Sequence, residues 1–96
     1  MIDVQIDTYD VDYIENNELN KLENVLNMVA TEYVESTLKF PKFASPHEGL
    51  AIIQEEFEEF KESVFWPHKD HTGEAQEEAR QLAAMAIRYL MDVSYK

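Results

Sequence analysis

Residues 45–65 read SPHEGLAIIQEEFEEFKESVF, and the reading of this stretch decides the fold. It opens with a helix start. Ser45 can cap, Pro46 suits the first helical position, and Glu48, three residues after Ser45, completes a capping box. Leu50, Ile53, Phe57, Phe60 and Val64 then recur at helical spacing and make one apolar stripe. At ~100° per residue, Glu56 and Glu59 fall on the shoulder of that stripe. Glu58 and Glu62 point roughly away from it, and Glu55 lies nearer the outer side. Two carboxylates one turn apart repel each other, and partial burial makes the repulsion worse. A divalent metal ion would offset both effects. The same acidic run also fits a solvated helix face, and this helix alone does not choose between them.

Toward the N-terminus, residues 39–44, KFPKFA, form a short connection in which Pro41 breaks the preceding helix. Its aromatics Phe40 and Phe43 serve equally well as lids over a bundle end or as platforms for a ligand base. Residues 18–38 are helical in period. Leu19, Leu22, Leu26, Val29 and Tyr33 share one face, with Val25 and Leu38 beside it, and Asn16 or Asn17 is the candidate cap. In residues 1–14, Ile2, Val4 and Ile6 alternate with polar residues, and Tyr9, Val11 and Tyr13 alternate again. That is a strand-like period, but a lone strand needs a partner: the segment can pair with its copy in another subunit, pack as an extended arm or stay partly disordered, and the ordered arm is the expectation.

Toward the C-terminus, Trp66-Pro67 ends the acidic helix, and the linker 67–73 carries His68 and His71. With His47 these make three histidines. No partner lies at i,i+4 spacing and no Glu-x-x-His motif exists, which argues against structural zinc and against a di-iron bundle. The last helix covers about 74–94, with Thr72 as candidate cap. Ala75, Ala79, Leu82, Ala83, Ala86, Leu90 and Val93 form its expected buried stripe. Glu74, Glu78, Gln81, Met85, Arg88 and Asp92 line one shoulder. The plain reading of that flank is ordinary boundary positions, with Arg88 in an ion pair.

Composition narrows the function. Twenty Asp+Glu against eight Lys+Arg give a formal charge of −12 and a pI near 4.4. That sign argues against binding nucleic acid through its phosphates and against anionic membrane surfaces. There is no cysteine, so disulfides and thiolate metal sites are excluded. No apolar run of spanning length and no basic-then-apolar leader occurs, so a cytoplasmic protein is expected. With 96 residues, 45% of them hydrophobic, one domain over 1–96 with a modest core is expected.

Taken together, these residues resemble the MazG-like nucleotide pyrophosphohydrolases of the all-α NTP pyrophosphatase superfamily, in their small phage-type branch. The family pattern is EExxE on one helix and EExxD on the next. Glu55, Glu56 and Glu59 match the first half; Glu77 and Glu78, ending at Gln81, occupy the second, with eighteen residues between Glu59 and Glu78. The segment 43–56, F-x-S-x-HEG-x-A-I-x-x-EE, and the run AAMAIR at 83–88 belong to the same likeness, which covers roughly 39–92. The resemblance implies Mg²⁺-dependent hydrolysis of a nucleoside triphosphate to a monophosphate and pyrophosphate, with Mn²⁺ as a possible substitute. By position, Glu56, Glu59 and Glu78 are the implied catalytic and metal-binding residues, and Gln81 takes the place of the family's Asp as a weaker, neutral ligand. Arg88 is the candidate phosphate contact; Phe43 and His47 are further candidate substrate contacts.

The expected fold is all-α. It is an antiparallel bundle of three main helices with an extended N-terminal arm, completed by assembly into a homodimer or homotetramer. Two other functions fit the same residues: a catalytically weak nucleotide-binding or regulatory module, and an acidic DNA mimic.

Overall fold

The structure, a computed structural model, describes residues 16–66 and 74–94. The expected N-terminal arm, and His68 and His71, lie outside the described residues; the last helix is capped at Glu74 rather than at Thr72, with no side-chain cap hydrogen bond, because the chain turns helical only at Ala75. Three helices pack together: α1 (Asn16–Lys39), α2 (Pro46–Phe65) and α3 (Ala75–Tyr89), with α3 running on into a π-helical turn at Leu90–Ser94. There is no strand among the described residues, and none of their helices is long and apolar enough to cross a membrane.

The start of α2 follows its sequence closely. Ser45 is the N-cap, its Oγ accepting from the Glu48 N–H at 3.1 Å, and Pro46 is the first helical residue. The Glu48 carboxylate reaches back one residue further than in a standard capping box, accepting from the Ala44 N–H at 3.1 Å. Helix α2 ends at Trp66, whose N–H donates to Glu62 O at 2.8 Å.

Direction follows from which residues meet. Glu32 pairs with Arg80, and Ser36 with Arg88, so α1 and α3 run parallel. Gly49 meets Tyr89, and Glu56 meets Glu78, so α2 runs antiparallel to both. Helix α3 lies in the middle. It packs on α2 and on α1, whereas α1 and α2 scarcely touch each other. The small core of Val29, Phe43, Ala84 and Met85 sits where the three elements and the 40–45 connection converge.

This arrangement corrects the expected faces. In α2, Gly49 and Ser63 are buried and Ile52, Ile53, Glu56 and Phe60 half-buried, while Leu50, Phe57 and Val64 are exposed. The packed face is therefore rotated by about 70° from the centre of the apolar stripe, at ~100° per residue. Glu56 lies inside it rather than on its shoulder. The reason is steric: a Cβ on Gly49 would stand 2.6 Å from Tyr89 Cδ2 and 3.0 Å from Phe43 Cδ2, so α2 approaches α3 through its smallest residues. In α3 the polar flank is the buried one. Glu78, Met85 and Arg88 are buried, while Ala86 and Leu90 from the expected apolar stripe are exposed. A helix with a neighbour on either side hides its flanks. In α1, Val29 and Ser36 face inward, but Leu22, Val25 and Leu38 stand exposed.

The close approach at Gly49 makes a direct prediction. Gly49→Ala should destabilise the fold by about 1–3 kcal/mol, because Tyr89 and Phe43 must both move to admit a methyl group. A lower urea midpoint at unchanged m-value checks it; equal or higher stability would show that the α2–α3 contact is loose.

Candidate metal centre

The carboxylates of Glu56, Glu59 and Glu78 come together from two helices. One oxygen from each lies within 4.8 Å of the others. Antiparallel packing of α2 on α3 makes this possible, since it sets the acidic turn of α2 against the first turn of α3. The three differ in environment: Glu78 is buried, Glu56 half-buried and Glu59 exposed. The cluster therefore runs from the helix interface out to solvent.

Its electrostatics are unfavourable without a cation. The Glu56 carboxyl is pushed up from its usual 4.5 to about 7, first by burial and then by the charges of Glu59, Glu78 and Glu55. A hydrogen bond with Glu59 adds to the shift. Glu56 Oε2 is buried and has no hydrogen-bond partner among the described residues. Three converging carboxylates with such an oxygen suit a hard divalent cation, which prefers oxygen ligands.

Beside the cluster lies a cleft of about 300 Å³. Phe40 and Pro41 form one wall, Glu55 and Glu56 another, and Ile52 and Met85 the apolar floor. Glu55 and the Glu48 cap both border it, although the helical wheel placed Glu55 toward the outside. The signal for Glu55 was its adjacency to Glu56 on a helix whose packed face had turned.

Of the remaining site candidates, Phe43 and Arg88 also border this cleft, whereas Gln81 and His47 do not. Gln81 follows Glu78 by one turn on the same flank of α3 and is half-buried. His47 is exposed and lines a different hollow, with Pro46, Leu50, Ile53 and Tyr89. Phe43 is 6% exposed, so its ring is chiefly a core element. Arg88 is corrected most sharply. Only 2% exposed, it donates to Ser36 O at 3.3 Å, to Phe40 O at 2.7 Å and to Pro41 O, and pairs with Asp92 Oδ2 at 3.5 Å. Its terminal nitrogens are engaged by the protein's own carbonyls, although the side chain also borders the cleft beside Glu56. Asp92, four residues on, also accepts from the Phe43 N–H at 3.1 Å. That i,i+4 spacing was the sequence signal for the ion pair.

Comparison of the chain with protein-family models, curated proteins and solved structures finds no match.

The shifted Glu56 has a pH signature. Its folded form keeps the proton to about pH 7, whereas the unfolded chain releases it near 4.5, so folding takes up a proton between those values. This group's contribution to stability therefore falls as pH rises from 4.5 through 7. Partial exposure and screening reduce the effect to on the order of 1 kcal/mol. In metal-free buffer, the urea midpoint should drop more between pH 5 and pH 8 for the wild type than for Glu56→Gln. Parallel pH profiles would refute the shift.

Proposed function

We propose that this chain is a Mg²⁺-dependent nucleoside triphosphate pyrophosphohydrolase, releasing pyrophosphate and a nucleoside monophosphate. The observation that carries the proposal is the convergence of Glu56, Glu59 and Glu78 from two helices beside a partly apolar cleft. Those three residues hold the metal, with Gln81 as a weaker neighbour. A Mg²⁺ held there would supply positive charge between an acidic protein and an anionic triphosphate, and Lewis acidity toward a water. Glu59, the exposed member of the cluster, would hold the metal on its solvent side. Glu56 and Glu78 set the charge of the inner half of the site. The apolar floor of Ile52 and Met85 suits the uncharged part of a nucleotide better than its phosphates.

Concentration of acids at one cleft supports this reading over the DNA mimic, which needs its charge spread across the outer surface. The weak or non-cleaving nucleotide binder has its own support. Gln81 is neutral where the resembling family carries Asp, and Arg88 is withdrawn into the protein.

A panel of NTPs and dNTPs with and without Mg²⁺ tests the activity. The wild type should release pyrophosphate from at least one of them only when the metal is present. Glu59→Gln should keep its helical circular dichroism and bind Mg²⁺ about tenfold more weakly or worse. Mg²⁺ affinity unchanged by this substitution would remove the metal site from the proposal.

The chain works as a homodimer or homotetramer. The α2 stripe supports this: Leu50, Phe57, Val64, Phe65 and Trp66 are between 47% and 65% exposed. A soluble monomer rarely leaves so continuous an apolar face open. Light scattering at micromolar concentration should give at least twice the 11.2 kDa chain mass. Phe57→Glu, in the middle of the stripe, should return the mass to that of one chain; a wild-type monomer would refute the assembly.

A further inference from the structure

We propose that Arg88 is a positioning residue that clasps the 40–43 connection to α3 and so fixes one wall of the cleft beside Glu56. In the wall, Phe40 is 60% exposed and Pro41 is exposed, and neither is held by apolar burial of its own. What holds the segment is Arg88, which donates to the carbonyls of Phe40 and Pro41 while lying over the Phe43 ring at 5.2 Å. The same guanidinium donates to Ser36 O, which also accepts the Phe40 N–H at 3.0 Å. The C-terminal end of α1, where a helix carries partial negative charge, is thus tied into the same point. Asp92 completes the clasp from below, pairing with Arg88 and accepting from the Phe43 N–H. One planar fork serves three carbonyls and a carboxylate at once, a geometry that a lysine ammonium cannot reproduce.

The clasp acts on the cleft without touching the acidic cluster, since none of its partners is Glu56, Glu59 or Glu78. Its loss should therefore loosen the wall and leave the metal-binding carboxylates in place. On the proposed activity, on which this kinetic consequence rests, the wall governs how the uncharged part of the substrate is received rather than the reaction at phosphorus.

Residue-resolved amide hydrogen exchange on the full chain tests the clasp without reference to activity. Arg88→Lys keeps the charge and loses the fork. Exchange of the Phe40 and Phe43 amides should quicken about tenfold or more, while amides in the middle of α2 and α3 keep their wild-type rates. Asp92→Asn, the milder variant, should quicken Phe43 and leave Phe40 protected. Unchanged exchange at both amides, or an equal increase along all of α3, overturns the proposal; the latter would mean that Arg88 serves global stability only. In an enzyme that cleaves an NTP, Arg88→Lys should raise KM several-fold with kcat within about twofold. A fall in kcat at constant KM also overturns it. If the wild type cleaves no NTP, that failure falls on the proposed activity, and the exchange pattern still decides the clasp.

Discussion

A charged guanidinium held almost wholly out of water sets the terms for the rest of this structure. Burying a cation is costly unless its charge is met, and Arg88 is surrounded accordingly by three carbonyls that accept from its terminal nitrogens, an aromatic face, and a carboxylate 3.5 Å from its Nε. Those partners come from the end of α1, the 40–45 connection and the turn after α3. Once Arg88 is satisfied, the relative position of all three is no longer free. The hydrophobic core is too small to fix them alone: among the described apolar residues, Val29, Phe43, Ala84 and Met85 are the buried ones. Polar geometry does here what apolar bulk does in larger domains.

The opposite condition holds a short distance away. Glu56, Glu59 and Glu78 gather like charges where packing would be better served by neutral groups, and Glu56 responds by holding its proton toward neutral pH. A site that is unfavourable when empty of cations and favourable when neutralised is what metal binding requires. The close α2–α3 approach through Gly49 and Ser63 brings the two acidic turns within reach of each other. Small residues on the interface and acids at its edge are two parts of one arrangement.

The helices, their order and their ends could be read from the sequence. Ser45 and Pro46 announced α2, Pro41 announced the break after α1, and Glu56, Glu59 and Glu78 were expected to meet. Which face of each helix turns inward could not be read in the same way. Periodicity finds the most apolar side of a helix, but packing in this chain selects the side that lets backbones come closest. In α2 that side carries Gly49 and Ser63 rather than Leu50, Phe57 and Val64. The role of Arg88 was hidden for a related reason. A cation on a helix flank reads as solvent-facing or ligand-facing, and nothing local reveals that the carbonyls of a distant helix end will converge on it.

The central place of α3 also shapes how the chain acquires its structure. Helices α1 and α2 emerge first from synthesis, yet they share almost no interface, and each waits for the same later partner. Until α3 arrives, neither has a tertiary surface to rest on, and most helical stability in proteins comes from tertiary packing. The Arg88 clasp likewise joins residues about fifty positions apart, so the connection cannot settle early. Folding therefore proceeds by late, concerted docking rather than by stepwise growth from the N-terminus. Docking of α3 covers the Gly49 and Ser63 side of α2 and leaves its Leu50, Phe57 and Val64 side exposed, so that apolar face stays open to chaperone capture before and after docking.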